Sequence, residues 1–221
     1  MSEIDFLRQR DIISTEKLQR TKISLIGAGS IGSFTALTLA KMGVGYLSIY
    51  DEDGITNHNL PNQFFRKQDI SQFKVESLSS ILTDFTTSKV RKNICFYKNQ
   101  KLKETVIVAT DSMESRRLVW SEFLKQKQCK YLIEARVGAE IGMVYTIKSK
   151  NKKNINFYEQ TLDDVKESLP CTAKSIIYNV LLVASLVCRS YKSIINNENN
   201  FPRELIFNMS RIDELSFMVR I

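Results

Sequence analysis

Cysteine, proline, glycine and histidine are all scarce in this chain of 221 residues, which contains four, three, eight and one of them. The cysteines, Cys95, Cys129, Cys171 and Cys188, form no C-x-x-C pair, so we do not expect a zinc knuckle. Widely separated cysteines are typical of a reducing compartment, and we therefore expect a cytoplasmic protein.

Long hydrophobic runs are also missing. The N-terminal MSEIDFLRQRDII has no apolar core of signal-peptide length, and no apolar run approaches the ~18 residues of a membrane span. The richest run, Ile176 to Cys188, is interrupted by Tyr178, Asn179 and Ser185. We interpret it as a buried helix and expect no membrane partner.

Acidic residues are fewer than basic ones, 24 Asp and Glu against 32 Lys and Arg, which gives a formal charge of +8. This excess favours acidic partners such as phosphates, an acidic protein or nucleic acid, although a solvated lysine-rich surface explains it equally well. Nucleic acid has no specific support, since basic and aromatic residues do not alternate in a stripe. Hydrophobic residues make up 43% of the chain, enough for the core of one large domain spanning residues 1–221.

The first half of the chain alternates strand and helix patterns, which predicts an α/β fold, a Rossmann-like and mostly parallel sheet with helices on both faces. Predicted strands are 22–26, 46–50, 89–96, 105–109 and 131–135. Predicted helices are 31–42, 69–82 and 112–127.

The second half is less regular and predicts antiparallel strands and irregular loops. Strand-like segments are 142–147, ELIFNMS at 204–210 and SFMVRI at 216–221. We expect 149–156 to be exposed, 160–168 to be a loop and 196–200 to be a turn. Residues 1–20 are interpreted as an N-terminal helical arm, and 136–221 as a C-terminal, substrate-facing part of the same domain.

The stretch KISLIGAGSIGSF places Gly27, Gly29 and Gly32 in a G-x-G-x-x-G spacing after a short apolar strand. Such glycines permit a tight strand-to-helix turn and let the backbone approach a phosphate at the helix N-terminus. Asp51 follows the second strand, where a carboxylate can accept hydrogen bonds from ribose hydroxyls. This order predicts a site for a nucleotide that contains a ribose.

NAD is the default nucleotide for this pattern, but 221 residues leave little room for a second mononucleotide half and a substrate domain. The one histidine, His58, lies in a polar turn and fits a solvated loop residue better than a hydride-transfer base. An NAD-dependent oxidoreductase stays open as the weaker alternative.

The segment from Asp51 to Leu78 is dense in polar side chains immediately past the ribose-binding strand, where α/β proteins place their ligands. A lysine there would neutralise phosphate charge, and amides would orient phosphate or carboxylate oxygens. These candidate ligands are Asp51, Asp53, Asn59, Asn62, Gln63, Arg66 and Lys74.

Four motifs follow one another in order, G-x-G-x-x-G, GVGYLSIYDED, N-L-x-x-Q and D-I-x-x-x-K. Through these motifs the chain resembles the ThiF/MoeB family of ATP-dependent adenylyltransferases, which includes the adenylation domains of ubiquitin-activating enzymes. The resemblance covers Leu7 to about Leu118 well and the remainder loosely. It implies ATP and Mg²⁺ as cofactors and a homodimer. It implies as substrate the C-terminal tail of a ubiquitin-like or sulfur-carrier protein.

Residue roles follow from the same resemblance. Gly27, Gly29 and Gly32 are implied to cradle the nucleotide, and Asp51 to hold the ribose. Asn59, Gln63 and Lys74 are implied to contact the phosphates, and Asp111 to bind magnesium. Arg10 resembles an arginine that reaches into the partner subunit's ATP site, and Arg8 is the alternative for that role.

One departure from the family is Asn62, which stands where an arginine is usual and so removes a cation from the phosphate site. Arg66 is expected to compensate, since a guanidinium is always charged. The spacing from Gln63 to Lys74 is also slightly short. These departures leave open a second function class, a dimeric pseudo-enzyme that binds nucleotide or a partner without turnover.

The implied reaction is attack by a carboxylate on the α-phosphorus of ATP. It needs charge neutralisation by Lys74, Arg10 and Mg²⁺ at Asp111, but no general base, since a carboxylate is ionised near pH 7. Asp111 has a competing interpretation as the cap of the following helix.

Cys171, in SLPCTAKSII, precedes the apolar helix, where a helix N-terminus and Lys174 would favour its thiolate. It is a candidate for accepting the acyl group as a thioester, and structural packing is an equally open interpretation.

Overall fold

The computed structural model describes residues 4–163, 175–198, 202–210 and 216–220. These residues build one eight-stranded sheet in the order β3-β2-β1-β4-β5-β6-β7-β8. The strands are β1 Lys22–Ile26, β2 Tyr46–Tyr50, β3 Lys89–Asn93, β4 Thr105–Val108, β5 Tyr131–Gly138, β6 Ile141–Lys148, β7 Glu204–Asn208 and β8 Ser216–Arg220.

The first five strands are parallel to one another, and β6, β7 and β8 each pair antiparallel with the strand before them. In register, Ile23 of β1 faces Leu47 of β2 and Thr105 of β4. The predicted mostly parallel α/β sheet with antiparallel strands at its C-terminal side is therefore confirmed.

Helices cover both faces of the sheet, as a parallel sheet requires. Helices α2, α3 and α6 pack on the core around Leu25, Leu47 and Val183, and α4 and α5 pack on the core around Val108 and Tyr158. The helices are α1 Thr15–Gln19, α2 Ser30–Met42, α3 Lys74–Phe85, α4 Met113–Lys125, α5 Lys152–Asp163 and α6 Ile177–Ile195.

The predicted helix over 69–82 was wrong at its start, because α3 begins at Lys74. Residues Lys67–Asp69 form a short 3-10 turn, and Ser71 has a positive φ of 72° that no α-helix accommodates. The chain instead pairs with the preceding loop, where the Ser71 amide donates to the carbonyl of Ile55 at 2.8 Å.

The loop predicted over 160–168 was wrong where the structure describes it, since residues 160–163 are the end of helix α5, Lys152–Asp163. The stretch 149–156 is exposed or half-buried, which agrees with its predicted exposure, although residues 152–156 belong to the same helix. Ile155, Tyr158 and Leu162 have the i, i+3, i+7 spacing of one helix face, and Tyr158 and Leu162 are buried. Residues 164–168 of that loop lie outside the described residues.

Helix α6 confirms the buried helix expected from the apolar run, and it extends to Ile195. Its inner face buries Val180, Val183 and Val187. In the part of the chain that is described, no helix combines the length and apolar character needed to cross a bilayer.

Candidate functional site

The glycine turn joins β1 to α2 and is shaped by close backbone packing. Gly27 has φ +96°, and a Cβ there would lie 2.5 Å from the carbonyl oxygen of Ala109. A Cβ on Gly32 would lie 2.0 Å from the carbonyl oxygen of Gly27. Gly27 and Gly32 therefore hold the turn against the end of β4.

Gly29 has a different environment. The nearest atom to a Cβ built on it is Nε2 of Gln63, at 3.9 Å, so this glycine leaves open space. It is also the N-cap of α2 and supplies no side-chain cap. The free amides of the first helical turn therefore border that space, an arrangement that favours an anion.

A cavity of about 330 Å³ opens at the carboxyl ends of β1, β2 and β4. Pockets of this size and position are typical of small-molecule sites in α/β folds. Seven of the predicted site residues line it, namely Gly27, Gly29, Asp51, Asp53, Gln63, Lys74 and Asp111.

The Asp51 carboxylate lies at the end of β2 and contacts the glycine turn. It accepts hydrogen bonds from the Ala28 amide at 2.7 Å and from the Asp53 amide at 2.9 Å. Burial raises the pKa of Asp51 above its usual value, while Lys74 and these two amides act in the opposite direction. The carboxylate is therefore incompletely compensated and suited to accept further hydrogen bonds from a ligand.

Lys74 is the first residue of α3, and its buried side chain extends into the cavity. Its Nζ lies 2.5 Å from Oδ2 of Asp53 and 3.9 Å from Oδ1 of Asp51. Asp53 is 62% exposed, so a ligand anion can replace Asp53 as the partner of Lys74 at a modest cost in free energy.

Asp111 lies exposed at the cavity wall, between β4 and α4. The alternative that it caps α4 was wrong, because the cap is Ser112, whose Oγ accepts from the Ser115 amide at 3.1 Å. The Asp111 carboxylate is thus not used by the helix.

Two predicted phosphate ligands do not line the cavity. Asn59 caps its own 3-10 turn by accepting from the Thr56 amide and hydroxyl, each at 2.9 Å. The amide of Asn62 donates to the backbone carbonyl of Ser175. These two asparagines shape the loop beside the cavity and do not face into it.

The predicted arginines do not line the cavity either. Arg66 is held by Asp69 at 2.9 Å and Asp84 at 3.6 Å, so the expectation that it replaces the missing family arginine has no support in this arrangement. Arg10 and Arg8 are exposed on the N-terminal arm, and Arg10 borders a separate surface concavity beside α1.

The cavity lining is strongly acidic. Among the described residues that line it, the charged side chains are one cation, Lys74, and four acids, Asp51, Glu52, Asp53 and Asp111. A polyphosphate would therefore need additional cations, from a metal ion or from another subunit.

A magnesium ion fits this chemistry as a ligand shared with phosphate. Across the described residues no cluster of three or more His, Cys, Asp or Glu side chains can hold a metal ion. Mg²⁺ commonly uses one or two carboxylates and completes its shell with substrate phosphates and water. Asp111 is placed for that role.

Sequence reasoning missed Thr110 and a further wall of the cavity. Oγ1 of Thr110, like Oε1 of the predicted Gln63, is buried without a hydrogen-bond partner, and both residues line the cavity. Such groups are available to form a hydrogen bond with a ligand or with a water molecule in the cavity. Cys95, Phe96 and Tyr97, directly after β3, supply an additional wall, which their place past a strand end could have indicated.

A buried ion cluster beside the cavity was also missed. Glu134 of β5 is fully buried and lies 2.9 Å from Nε of Arg116 and from Nε of Arg136. The Tyr158 hydroxyl donates to it at 2.9 Å. Although burial acts to raise the pKa of Glu134, the two guanidiniums outweigh it and lower that pKa.

This cluster supports the cavity wall, because Nη2 of Arg116 donates to the Thr110 carbonyl at 2.7 Å, next to Asp111. The sequence signal was the charged pair Glu134 and Arg136 inside the otherwise apolar run YLIEARVG, since such residues are almost never buried unless paired.

The cysteines divide as follows. Cys188 is buried in the core, and burial raises its pKa. Burial also raises the pKa of Cys129 to about 11. Cys95 lies just past β3, at the cavity. Cys171 and Lys174 lie outside the described residues.

Comparisons with known proteins agree with this arrangement. Residues 6–220 match the family model described as the ThiF family. The chain is 32% identical over 87 residues to ubiquitin-like modifier-activating enzyme 5 of Oryza sativa subsp. japonica, covering 38% of this chain and 21% of that protein. It is 31% identical over 111 residues to adenylyltransferase and sulfurtransferase MOCS3-1 of Zea mays, covering 47% of this chain and 24% of that protein.

Solved structures share the fold at low sequence identity. The E. coli MccB structure with ATP superposes with a TM-score of 0.74 at 18% identity, over 93% of this chain and 65% of that chain. PaaA gives a TM-score of 0.73 at 16% identity, over 94% of this chain and 75% of that one. The chain spans less than a quarter of the length of the two curated relatives. With a family match over nearly its whole length, this chain belongs to the ThiF family.

Proposed function

We propose that this chain is an ATP-dependent adenylyltransferase that activates a substrate carboxylate as an acyl-adenylate and releases pyrophosphate. The observation that carries the proposal is the convergence of Gly29, Asp51, Lys74 and Asp111 on one cavity at the carboxyl edge of the sheet. These groups match the parts of ATP in order, with open backbone for phosphate, a carboxylate for ribose, a cation for phosphate and a carboxylate for Mg²⁺.

In the proposed reaction a carboxylate oxygen attacks the α-phosphorus of ATP. The bond from that phosphorus to the bridging oxygen of the leaving group breaks, and pyrophosphate departs with the electron pair. Because both reactants are anions, catalysis consists mainly of positioning and charge neutralisation. Lys74 and the α2 amides supply that neutralisation from this chain, and Mg²⁺ held by Asp111 would supply more.

The proposed substrate is the C-terminal tail of a ubiquitin-like or sulfur-carrier protein. The support is in the names of the similar proteins, one a ubiquitin-like modifier-activating enzyme and one an adenylyltransferase and sulfurtransferase. A different acyl substrate is also compatible, since solved structures of E. coli MccB include complexes with MccA.

The deciding experiment is pyrophosphate exchange, in which label from pyrophosphate returns to ATP only when a carboxylate is adenylated reversibly. Wild-type protein with ATP, Mg²⁺ and a panel of carrier-protein tails should exchange. Lys74→Ala and Asp111→Ala should each lose about 100-fold or more in exchange rate.

Exposed neighbours provide matched controls. Lys67→Ala and Glu114→Ala remove the same charges outside the cavity, and exchange should change less than about threefold. Full exchange in both cavity variants would refute the residue assignment. ATP binding without exchange across the whole panel would favour the dimeric pseudo-enzyme, a second candidate that the unusual Asn62 supports.

Because the cavity lining is acidic, we propose that an arginine of a second subunit helps to neutralise the phosphates of ATP. We place Arg10, or Arg8 in its stead, in the ATP site of the partner subunit of a homodimer, because neither lines the cavity of its own chain. Mixing equal amounts of Arg10→Ala and Lys74→Ala protomers should restore exchange to about a quarter of the wild-type rate. Half of the dimers are then mixed, and each mixed dimer has one intact site of its two. A fully active monomer would contradict this arrangement.

Transfer to Cys171 is the proposed second step. Its sulfur would attack the acyl carbonyl carbon, and AMP would leave with the electron pair of the broken carbon–oxygen bond. Mass spectrometry of wild type should detect a thioester that Cys171→Ala lacks while exchange persists. A thioester retained in Cys171→Ala would make this cysteine structural.

A further inference from the structure

Another concavity, which we call the amino-edge groove, lies at the opposite edge of the sheet from the nucleotide cavity. It has a volume of about 530 Å³ and is formed by the amino ends of β1, β4 and β5 together with the C-terminal end of α6. Because the strands are parallel, this edge is separated from the carboxyl edge by their full length.

The rim of the amino-edge groove is strongly basic. The described part of its lining contains one acid, Glu104, whose carboxylate lies 2.9 Å from Nζ of Lys130. The cations of the lining are Arg20, Lys22, Lys101, Lys103 and Lys130.

These cations are close enough to disfavour one another. Burial lowers the pKa of Lys103, and repulsion from Arg91, Lys22 and Lys101 lowers it further. An anion bound between them would relieve this repulsion, so the groove attracts negative charge more strongly than isolated surface lysines would.

The floor of the groove is apolar. Leu102 and Ile194 are buried beneath it, and Ile195 is half-buried at its side. Because Leu102 is 1% exposed, the apolar surface open to a partner comes from Ile194, Ile195 and the lysine stems around them, which keep their charges in water. An aliphatic side chain can pack against this surface.

We propose that the amino-edge groove binds an acidic segment of a partner protein, with carboxylates at the lysine rim and an apolar side chain on the floor. The basic rim indicates that the partner is an anion, and the apolar floor indicates that this anion is a peptide with an apolar side chain. Interfaces of this kind gain specificity and association rate from opposed charges around an apolar centre.

Nucleic acid fits the groove less well. Single-stranded nucleic acid is held by bases stacked on open aromatic faces, but Tyr191 is 1% exposed and Nζ of Lys148 lies over the Tyr131 ring at 6.0 Å. Four of the five cations are lysines, which cannot make the bidentate contacts by which arginine recognises phosphate.

The test uses a fluorescein-labelled peptide of about ten residues, composed of Asp and Glu with one central Leu, measured by fluorescence anisotropy at low salt. The comparison probes are the same peptide with Asn and Gln in place of the acids, and a single-stranded DNA of equal charge. Lys22→Glu with Lys101→Glu reverses two exposed rim charges, and the matched control is Lys152→Glu with Lys153→Glu, exposed at the start of α5.

The acidic peptide should bind the wild type and the control variant within about twofold of each other and bind the groove variant at least about tenfold more weakly. Its binding should weaken with added salt and be unchanged by ATP, which separates this proposal from the adenylation proposal. Three results would overturn it: no saturable binding of the acidic peptide, equal binding by the groove variant, or tighter, groove-dependent binding of the DNA.

Discussion

Two carboxylates of the sheet, the largely buried Asp51 after β2 and the fully buried Glu134 within β5, show opposite electrostatic states. Asp51, after β2, has one lysine at 3.9 Å and a raised pKa. Glu134, in β5, has two guanidiniums at 2.9 Å, a tyrosine hydroxyl and a lowered pKa. Burial acts to raise the pKa of both groups, so the number and distance of partners decides the sign.

The difference separates a structural cluster from a binding site. The Glu134 carboxylate has its partners within the fold, and its network fixes the wall that carries Asp111. The Asp51 carboxylate borders an open cavity with an excess of acids. It would therefore gain partners when a ligand arrives, as the proposed site for a ribose and a metal-bound polyphosphate requires.

The largest effect is expected from breaking the Glu134 cluster. Glu134→Gln leaves Arg116 and Arg136 buried without their carboxylate, which should lower the free energy of unfolding by about 3–5 kcal/mol. Urea unfolding measures this change. The control Glu104→Gln breaks an exposed pair, 57% and 61% exposed, and should cost ~1 kcal/mol or less. Equal costs for the two variants would contradict the expected difference between a buried and an exposed ion pair.

A smaller effect is expected at the glycine turn. Gly27→Ala places a Cβ 2.5 Å from a backbone oxygen at positive φ, and should cost about 2–3 kcal/mol of unfolding free energy. Gly29→Ala meets no atom closer than 3.9 Å, so its stability should fall by ~1 kcal/mol at most.

The same pair of variants distinguishes folding from binding. Gly29→Ala should lose ATP affinity measured by calorimetry while remaining folded, because its methyl group occupies the space where phosphate is proposed to lie. Unchanged ATP affinity in Gly29→Ala would place the phosphates elsewhere in the cavity.

Asp51 predicts a pH dependence of ATP binding. Its pKa is raised, so the ionised form, which is proposed to accept hydrogen bonds from ribose hydroxyls, is present above that pKa and lost as the pH falls through it. Below it, affinity should fall about tenfold per pH unit. Calorimetric titrations from about pH 8 downward should show this fall in the wild type but not in Asp51→Asn, whose affinity should be weak throughout. The same fall in both proteins would assign the titration to another group.

The smallest effect is expected at a surface counterpart of the Glu134 cluster. Glu198, beside Lys192 and Arg189 at the end of α6, has a pKa lowered to about 2, chiefly by its hydrogen bond to Lys192. A depressed carboxyl pKa stabilises the fold above the unfolded value, near 4.5, and this contribution is lost as the pH falls from there toward 2.

Since the Glu198 pair is partly exposed, Glu198→Gln should cost less than ~1 kcal/mol near pH 7. Urea unfolding of both proteins at about pH 7 and about pH 3 should show the difference shrinking at the lower pH. A difference that grows on acidification would mean that Glu198 is not stabilised in its ionised form.

Much of the nucleotide half follows from local sequence. KISLI and YLSIY are short apolar runs of strand length, and Gly27 and Gly32 occupy positions that tolerate no side chain, so the pattern itself reports the turn. By contrast, α5 was missed because its apolar face is only Ile155, Tyr158 and Leu162 within a polar stretch, and the start of α3 was misplaced because Ser71 adopts positive φ without being glycine.

The amino-acid sequence by itself determined the parallel sheet, the glycine turn and the acid after β2, because these depend on residue type and on spacing within one strand–turn–helix unit. Tertiary structure alone decided that Asn59, Asn62 and Arg66 turn away from the cavity, and that Glu134 meets Arg116 and Tyr158. Those outcomes depend on the direction of side chains once the chain has packed, and each side chain takes whichever partner the fold brings within reach.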